Sequence, residues 1–154
     1  MTPPSPDLIL FDLDGTLIDS LKDIHKCVNR LRETHDLAPV DRATVQGGIG
    51  HGARELVRAT MPEKIDSEGT LDDRYAELLL VYESHAVSES QLYPGAERFL
   101  RRAAKHADLG ILSNKPLGIT GRILEHLQLT SLFRTVRCPE NSRVRKPDPD
   151  AMHD

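Results

Sequence analysis

The chain has 154 residues, 38% of them hydrophobic and 29% charged, with a formal net charge of -4. This is the composition of an ordinary soluble globular protein, one domain or one domain carrying an insertion, able to bury a moderate core. The acidic balance gives no basis for a nucleic-acid or membrane-surface partner, both of which require a basic face, and no apolar run approaches spanning length.

Met1-Thr2-Pro3-Pro4-Ser5-Pro6 has neither a basic nor a long apolar region, so it reads as a short disordered lead-in rather than a secretory signal. Cys27 and Cys138 lie far apart and fit no redox or zinc spacing, which predicts reduced, unpaired thiols and a cytoplasmic location.

Leu8-Ile9-Leu10-Phe11 follows, four apolar residues in a row, expected as a short strand buried on both faces in the middle of a parallel sheet. Asp12 and Asp14 sit where it runs out, two residues apart and so facing the same way while the chain stays extended, and Gly15 permits a sharp turn. Two carboxylates converging at the carboxyl end of a strand suit a hard divalent cation such as Mg²⁺. The plainer alternative is an Asp-Gly turn with both acids solvated.

Ser20 is placed to cap a helix carrying Leu21, Ile24, Val28 and Leu31 at helical spacing, ended by His35 to Pro39. A second helix is expected from Asp41 or Thr44, broken at Gly47-Gly48-Ile49-Gly50-His51-Gly52, resumed over residues 53–59 and stopped by Pro62. A third runs from about Gly69 to His85 with Leu71, Tyr75, Leu78, Leu79 and Tyr82 on one stripe. No strand signal interrupts residues 20–88.

After the Tyr93-Pro94-Gly95 turn, strands and helices alternate again. Phe99, Leu100, Ala103 and Ala104 predict a helix, and Leu109-Gly110-Ile111-Leu112 a short buried strand ending in Ser113-Asn114-Lys115-Pro116. Ile119, Ile123, Leu124 and Leu127 predict the next helix, and residues 133–138 a third strand. The pattern implies an α/β fold, a Rossmann-like parallel sheet core formed by residues 7–19 and 89–154, with residues 20–88 inserted as an α-helical cap over the carboxyl edge of the sheet.

Neighbouring parallel strands end side by side, so Ser113 can face the acids of the first strand, and its hydroxyl with the N–H groups opening the next helix makes a cradle for phosphate oxygens. An ordinary helix-capping serine is the alternative there. Arg143-Val144-Arg145-Lys146-Pro147-Asp148-Pro149, taken alone, is a solvated basic loop stiffened by prolines.

Taken together, Phe11-Asp12-Leu13-Asp14-Gly15-Thr16-Leu17, Leu112-Ser113-Asn114-Lys115-Pro116 and Lys146-Pro147-Asp148-Pro149 resemble the first three signatures of the haloacid dehalogenase superfamily. The second acid is similar to its phosphatases rather than its dehalogenases. The resemblance implies Asp12 as nucleophile, Asp14 as proton carrier, and Mg²⁺ held by the Asp12 carboxylate and the Asp14 carbonyl. It also implies a small phosphorylated substrate bound by Gly15, Thr16, Ser113, Asn114 and Lys146. Tyr93-Pro94-Gly95-Ala96 and the stretch Val45 to Val57 resemble the phosphoglycolate phosphatase group in particular, which would turn Gly50, His51 and Arg54 of the cap toward the substrate; a flexible break between surface helices is the alternative for that stretch. A β-phosphoglucomutase-like phosphotransferase shares the nucleophile and is the enzymatic alternative. The family's fourth signature, an acidic segment on a further strand, does not occur before Asp154. That departure implies a fragment, either part of a phosphatase or a phosphate-binding remnant without catalysis, whose sheet is incomplete, lacking the strands after the third, so that the first strand is left without a neighbour on one side. Nothing in the sequence bears on oligomeric state.

Overall fold

The structure, a computed structural model, describes residues 6–85, 88–140 and 144–152. The expected N-terminal lead-in over residues 1–5 lies outside them, as does Arg143 of the basic loop. The fold is α/β. Three parallel strands, β1 (Leu8–Phe11), β4 (Asp108–Leu112) and β5 (Thr135–Arg137), form a sheet in the order β1-β4-β5, with Phe11 opposite Ile111 and Ile111 opposite Val136. The helix α5 (Ala96–Ala103) leads into β4, and α6 (Leu117–His126) connects β4 to β5. Gly110 sits at the centre of the sheet for a steric reason: a Cβ there would come within 2.7 Å of the Leu10 side chain and 2.8 Å of the Thr135 side chain.

The first strand, of a composition found in mid-sheet, is at an edge among the described strands, as expected where the strand of the fourth signature does not stand beside it. β1 has one neighbour, β4, and its residues are half-buried, with Leu8 44% exposed, whereas β4 is buried over Leu109–Leu112. A four-residue apolar run fits either place, because composition shows that faces are covered but not by how many strands. Phe11 completes its cover on one side by packing edge-on against Phe99 of α5 at 6.1 Å between ring centres.

Between the first strand and α5 lie α1 (Leu21–Glu33), α2 (Arg42–Gly48), α3 (Ala53–Thr60) and α4 (Glu68–His85). The helical spacings place them well. Asp41 caps α2 by accepting the Thr44 N–H at 2.8 Å, Pro62 ends α3 and opens a short 3₁₀ turn, and Leu71, Leu78 and Tyr82 bury the α4 stripe. Arg32 of α1, 4% exposed, pins this layer by donating to the carbonyls of Ala38 and Thr60 and pairing with Glu63 at 3.1 Å.

Two further strands were not expected from the sequence. β2 (Ile18–Asp19) and β3 (Gln91–Leu92) pair antiparallel, Ile18 with Leu92 and Asp19 with Gln91, where the chain enters and leaves the helical layer. Two residues are too few for an alternation to show. Leu13, Ile18, Ile24, Leu56, Leu71, Leu78, Leu109 and Ile123 belong to one continuous apolar cluster that joins sheet and helices. Cys27 and Cys138 are both buried, and neither is in a disulfide. Among the described residues no helix is long and apolar enough to cross a membrane.

Candidate active site

The site begins with the way β1 ends. Leu13 is fully buried and points into the core, which turns its neighbours Asp12 and Asp14 the other way, into a cleft at the carboxyl end of the sheet. Gly15, at φ 77°, bends the chain back through bonds from its N–H to the Ile18 carbonyl and from the Leu17 N–H to the Leu13 carbonyl, both 2.9 Å.

Each acid has its own lysine, and the two come from different loops. Lys146 Nζ lies 2.5 Å from Asp12 Oδ1, both side chains about one-third exposed. Lys115 Nζ lies 3.1 and 3.2 Å from the two Asp14 oxygens, and this pair is buried, the lysine side chain 4% and the aspartate 11% exposed. The Ser20 hydroxyl also donates to Asp14 Oδ1, so Ser20 stands at the cap position of α1 without making a side-chain capping bond. Above Lys115 lies the ring of Tyr82 from α4, 5.1 Å from the ammonium to the ring centre, a cation–π distance. Burial, and then the Asp14 charge, push the Tyr82 hydroxyl well above the usual phenol range.

Ser113, 4% exposed, lines the same cleft; its N–H donates to the Arg137 carbonyl and its hydroxyl accepts the Lys115 N–H at 3.2 Å. Asn114 also lines the cleft, with its side-chain amide bonded to the main chain of Gly50 and Lys146. Thr16 is exposed and makes a long 3.4 Å contact to Asp12 Oδ2, while Gly15 faces a neighbouring hollow with Ser20 and Tyr93. The roof is apolar, made by Ile49, Ala53 and Leu56 beside Ile24 and Tyr82, and the cleft holds about 440 Å³ including its open mouth.

The cap residues separate. Gly50 lines the cleft; His51 is exposed and does not. Arg54 is turned away to α4, where it pairs with Glu68 at 2.9 Å and Asp72 at 2.7 Å, so its charge is neutralised within the helical layer instead of facing a substrate. Two acids in the first two turns of a neighbouring helix outcompete an open cleft for a half-buried guanidinium, and a chain-order reading has no means of seeing them.

The cation-binding capacity can be judged from the donors present. Asp12 and Asp14 supply hard oxygens, the kind Mg²⁺ takes, and Asp12 retains an exposed side. Among the described residues no group of three or more His, Cys, Asp or Glu side chains converges. A cation at the acids would thus take one or two oxygens from these residues and complete its shell with water or other donors. Sequence reasoning did not assign Lys115, Ser20 or Tyr82. Lys115 had a visible signal, since it directly follows the Ser113-Asn114 pair, but its partner lies 101 positions away.

The chain is similar to known proteins over most of its length. The chain is 34% identical over 152 residues to the phosphoglycolate phosphatase of Pseudomonas putida, a match that covers 96% of this chain and 56% of that protein. It is 31% identical to the N-acetylmuramic acid 6-phosphate phosphatase of Pseudomonas aeruginosa, covering 94% of this chain and 64% of that one. It thus spans roughly three-fifths of the length of these relatives. The crystal structure of a predicted phosphoglycolate phosphatase from Haemophilus somnus superposes with a TM-score of 0.86 at 27% identity, covering 96% of this chain and 68% of that one. A family model described as haloacid dehalogenase-like hydrolase matches residues 9–154, which takes in both acids and both lysines of the cleft, and on that extent of agreement the chain belongs to the haloacid dehalogenase-like hydrolase family.

Proposed function

We propose that this protein is a phosphatase that hydrolyses a small phosphate monoester through a phosphorylated Asp12. The observation that carries the proposal is the pair of acids at the end of β1, each held by a lysine from a separate loop, at the floor of one cleft. In the first step an Asp12 oxygen attacks phosphorus, the ester P–O bond breaks, and Asp14 gives its proton to the departing alkoxide. In the second, water attacks the same phosphorus, Asp14 takes the water's proton, and the bond to Asp12 breaks to release phosphate and restore the carboxylate. Lys146 counters the repulsion between an anionic nucleophile and an anionic ester, and Lys115 with Ser20 fixes the direction in which Asp14 presents its oxygens. Ser113 and the turn at Gly15 and Thr16 are the proposed phosphate cradle. Mg²⁺ would be held by the Asp12 carboxylate and the Asp14 carbonyl, where it supplies charge neutralisation for the phosphoryl oxygens.

Residues 7–19 and 89–154 act as the catalytic core and residues 20–88 as a cap that roofs the cleft; of Gly50, His51 and Arg54, Gly50 is the one that lines it. The relatives' names support 2-phosphoglycolate first and a phosphorylated sugar acid second as substrates, and two buried cysteines outside any disulfide support a cytoplasmic setting.

The test uses the protein expressed with any sequence its gene encodes beyond residue 154, given Mg²⁺ and 2-phosphoglycolate. Phosphate release with a transient, base-labile acyl phosphate is expected, and Asp12→Asn abolishes both. A phosphoenzyme stable to both alkali and hydroxylamine, or turnover by Asp12→Asn, would overturn the mechanism. Return of the phosphoryl group to a sugar would place the protein with the phosphotransferases. Absence of turnover in the presence of phosphate binding would leave a binding protein.

A further inference from the structure

The Asn114 side chain is bonded in a way that neither a turn nor a phosphate ligand requires. It is 6% exposed, just beyond the end of β4. Its amide nitrogen donates to the Gly50 carbonyl and to the Lys146 carbonyl, both at 2.9 Å, and its oxygen accepts the Lys146 N–H at 3.0 Å. One planar group thus clamps both main-chain polar groups of the residue whose ammonium rests on Asp12, and ties the loop between α2 and α3 to that clamp.

The loop makes this contact in a backbone conformation that favours glycine. Gly50 and Gly52 have φ of 91° and 93°, and a Cβ on Gly52 would stand 3.4 Å from the Asn114 carbonyl oxygen and 3.9 Å from the Arg145 guanidinium. A side chain at position 52 would be strained by its φ, while the space beside Asn114 and Arg145 would admit a Cβ at ordinary contact distance. Lys146, for its part, lies in neither helix nor strand, so no ladder of backbone bonds fixes its place.

We propose that Asn114 is a positioning residue that couples the seating of the residue 49–52 loop over the cleft to the placement of Lys146 on Asp12; its role in turnover rests on the phosphatase reading of the site. The coupling follows from the amide's geometry. Its two N–H bonds and its C=O lie in one plane at fixed angles, so both carbonyls and the Lys146 N–H are served together in only one orientation of the group. When the loop lifts, the Gly50 acceptor is lost, the amide is free to turn, and the hold on the Lys146 main chain loosens with it. Cap closure and the arrival of positive charge at the nucleophile then become one event.

Two variants test this in the protein expressed with any sequence its gene encodes beyond residue 154. Asn114→Asp keeps an acceptor for the Lys146 N–H but sets a carboxylate oxygen against two carbonyls. Gly52→Ala unseats the loop and leaves Asn114 intact. Hydrogen exchange is followed at residues 48–53 and 144–148, with α3 and α4 as controls, alongside the affinity for inorganic phosphate and the split between kcat and KM. Both variants are expected to raise exchange in the two segments together by about tenfold or more, the scale of losing one or two bonds, while α3 and α4 stay protected. Phosphate affinity and kcat are expected to fall by a similar factor. If Gly52→Ala loosens 48–53 but leaves 144–148 at its original rate, or if Asn114→Asp raises exchange uniformly with the fall in stability, the coupling is wrong and Asn114 is a structural residue. If the unsubstituted protein hydrolyses no phosphate ester, the phosphatase reading fails, and exchange alone still decides the coupling: joint loosening supports it, loosening of the loop alone overturns it.

Discussion

Replacing Asp23 is expected to destabilise the fold in a graded, pH-dependent way. This α1 carboxylate is 1% exposed and accepts bonds from Ser88, Glu89 and Ser90, just before β3. Oδ1 takes the Ser88 hydroxyl at 2.8 Å and the Glu89 N–H at 3.1 Å; Oδ2 takes the Glu89 N–H at 3.0 Å and both the N–H and the hydroxyl of Ser90 at 2.7 Å. Asp23→Ala strands two backbone N–H groups and empties a small volume, a cost of about 3–5 kcal/mol at about 1–3 kcal/mol for each unsatisfied buried group plus the lost packing. Asp23→Asn can turn its oxygen to Ser90 and its amide to the Ser88 hydroxyl, which is able to accept, so it loses mainly charge and one partner, about 1–2 kcal/mol.

Burial by itself would raise the Asp23 pKa, yet the bonds from Ser90, Glu89 and Ser88 outweigh it and hold the group below its ordinary 3.8. A depressed folded pKa means that the carboxylate's contribution is fully present above the unfolded value and is lost as pH falls through the folded one. Urea denaturation from pH 7 to pH 3 should therefore show a constant gap between the original protein and Asp23→Asn down to about pH 5, narrowing below 3.8. Equal midpoints for the two at pH 7, or a gap that widens on acidification, would refute the reasoning.

Lys115→Met removes the buried countercharge of Asp14 and is expected to lower kcat for phosphate ester hydrolysis by about 10²-fold, within the range typical of a disturbed general acid; unchanged steady-state kinetics in the variant would show that Ser20 alone orients Asp14. Arg32→Met leaves the Ala38 and Thr60 carbonyls without their donor and should cost about 2–4 kcal/mol by chemical denaturation; a loss under 1 kcal/mol would mean water replaces the guanidinium. Burial pushes both thiols up to about 11, with the Asp23 charge adding to the rise at Cys27. Neither should react with a thiol reagent at pH 8 before the protein unfolds, and rapid labelling of the native protein would contradict that.

The parts of the site that were legible in the sequence are those fixed by neighbours along the chain. Asp12 and Asp14 flank a buried leucine at a strand end, and Ser113 follows a four-residue apolar run, so local geometry alone delivers all three to the cleft. Lys115 was missed because its meaning lies in Asp14, a partner from another strand. Ser20 was expected to cap a helix, and its position is right; its side chain is turned to donate to the Asp14 carboxylate, and in that orientation its oxygen accepts no helix N–H. Arg54 was expected over the substrate on motif similarity, whereas Glu68 and Asp72, on a helix 14 and 18 residues further on, claim it. The helices were readable because Leu21 to Leu31 and Leu71 to Tyr82 repeat for several turns, and the two-residue strands were not, since a repeat of length two carries no period.

The pairing of Asp19 with Gln91 makes residues 20–90 a cassette. Strand neighbours stand about 5 Å apart, so a two-residue turn could suture one to the other and close the chain around the excised helices without displacing either strand. The seam is separable in topology but not in energy. Leu13 and Ile18 on the sheet side are fully covered by a cluster that includes Leu56, Leu71 and Leu78 of the helices, so any graft inserted at that seam has to bring its own apolar underside, matched in shape to what it replaces.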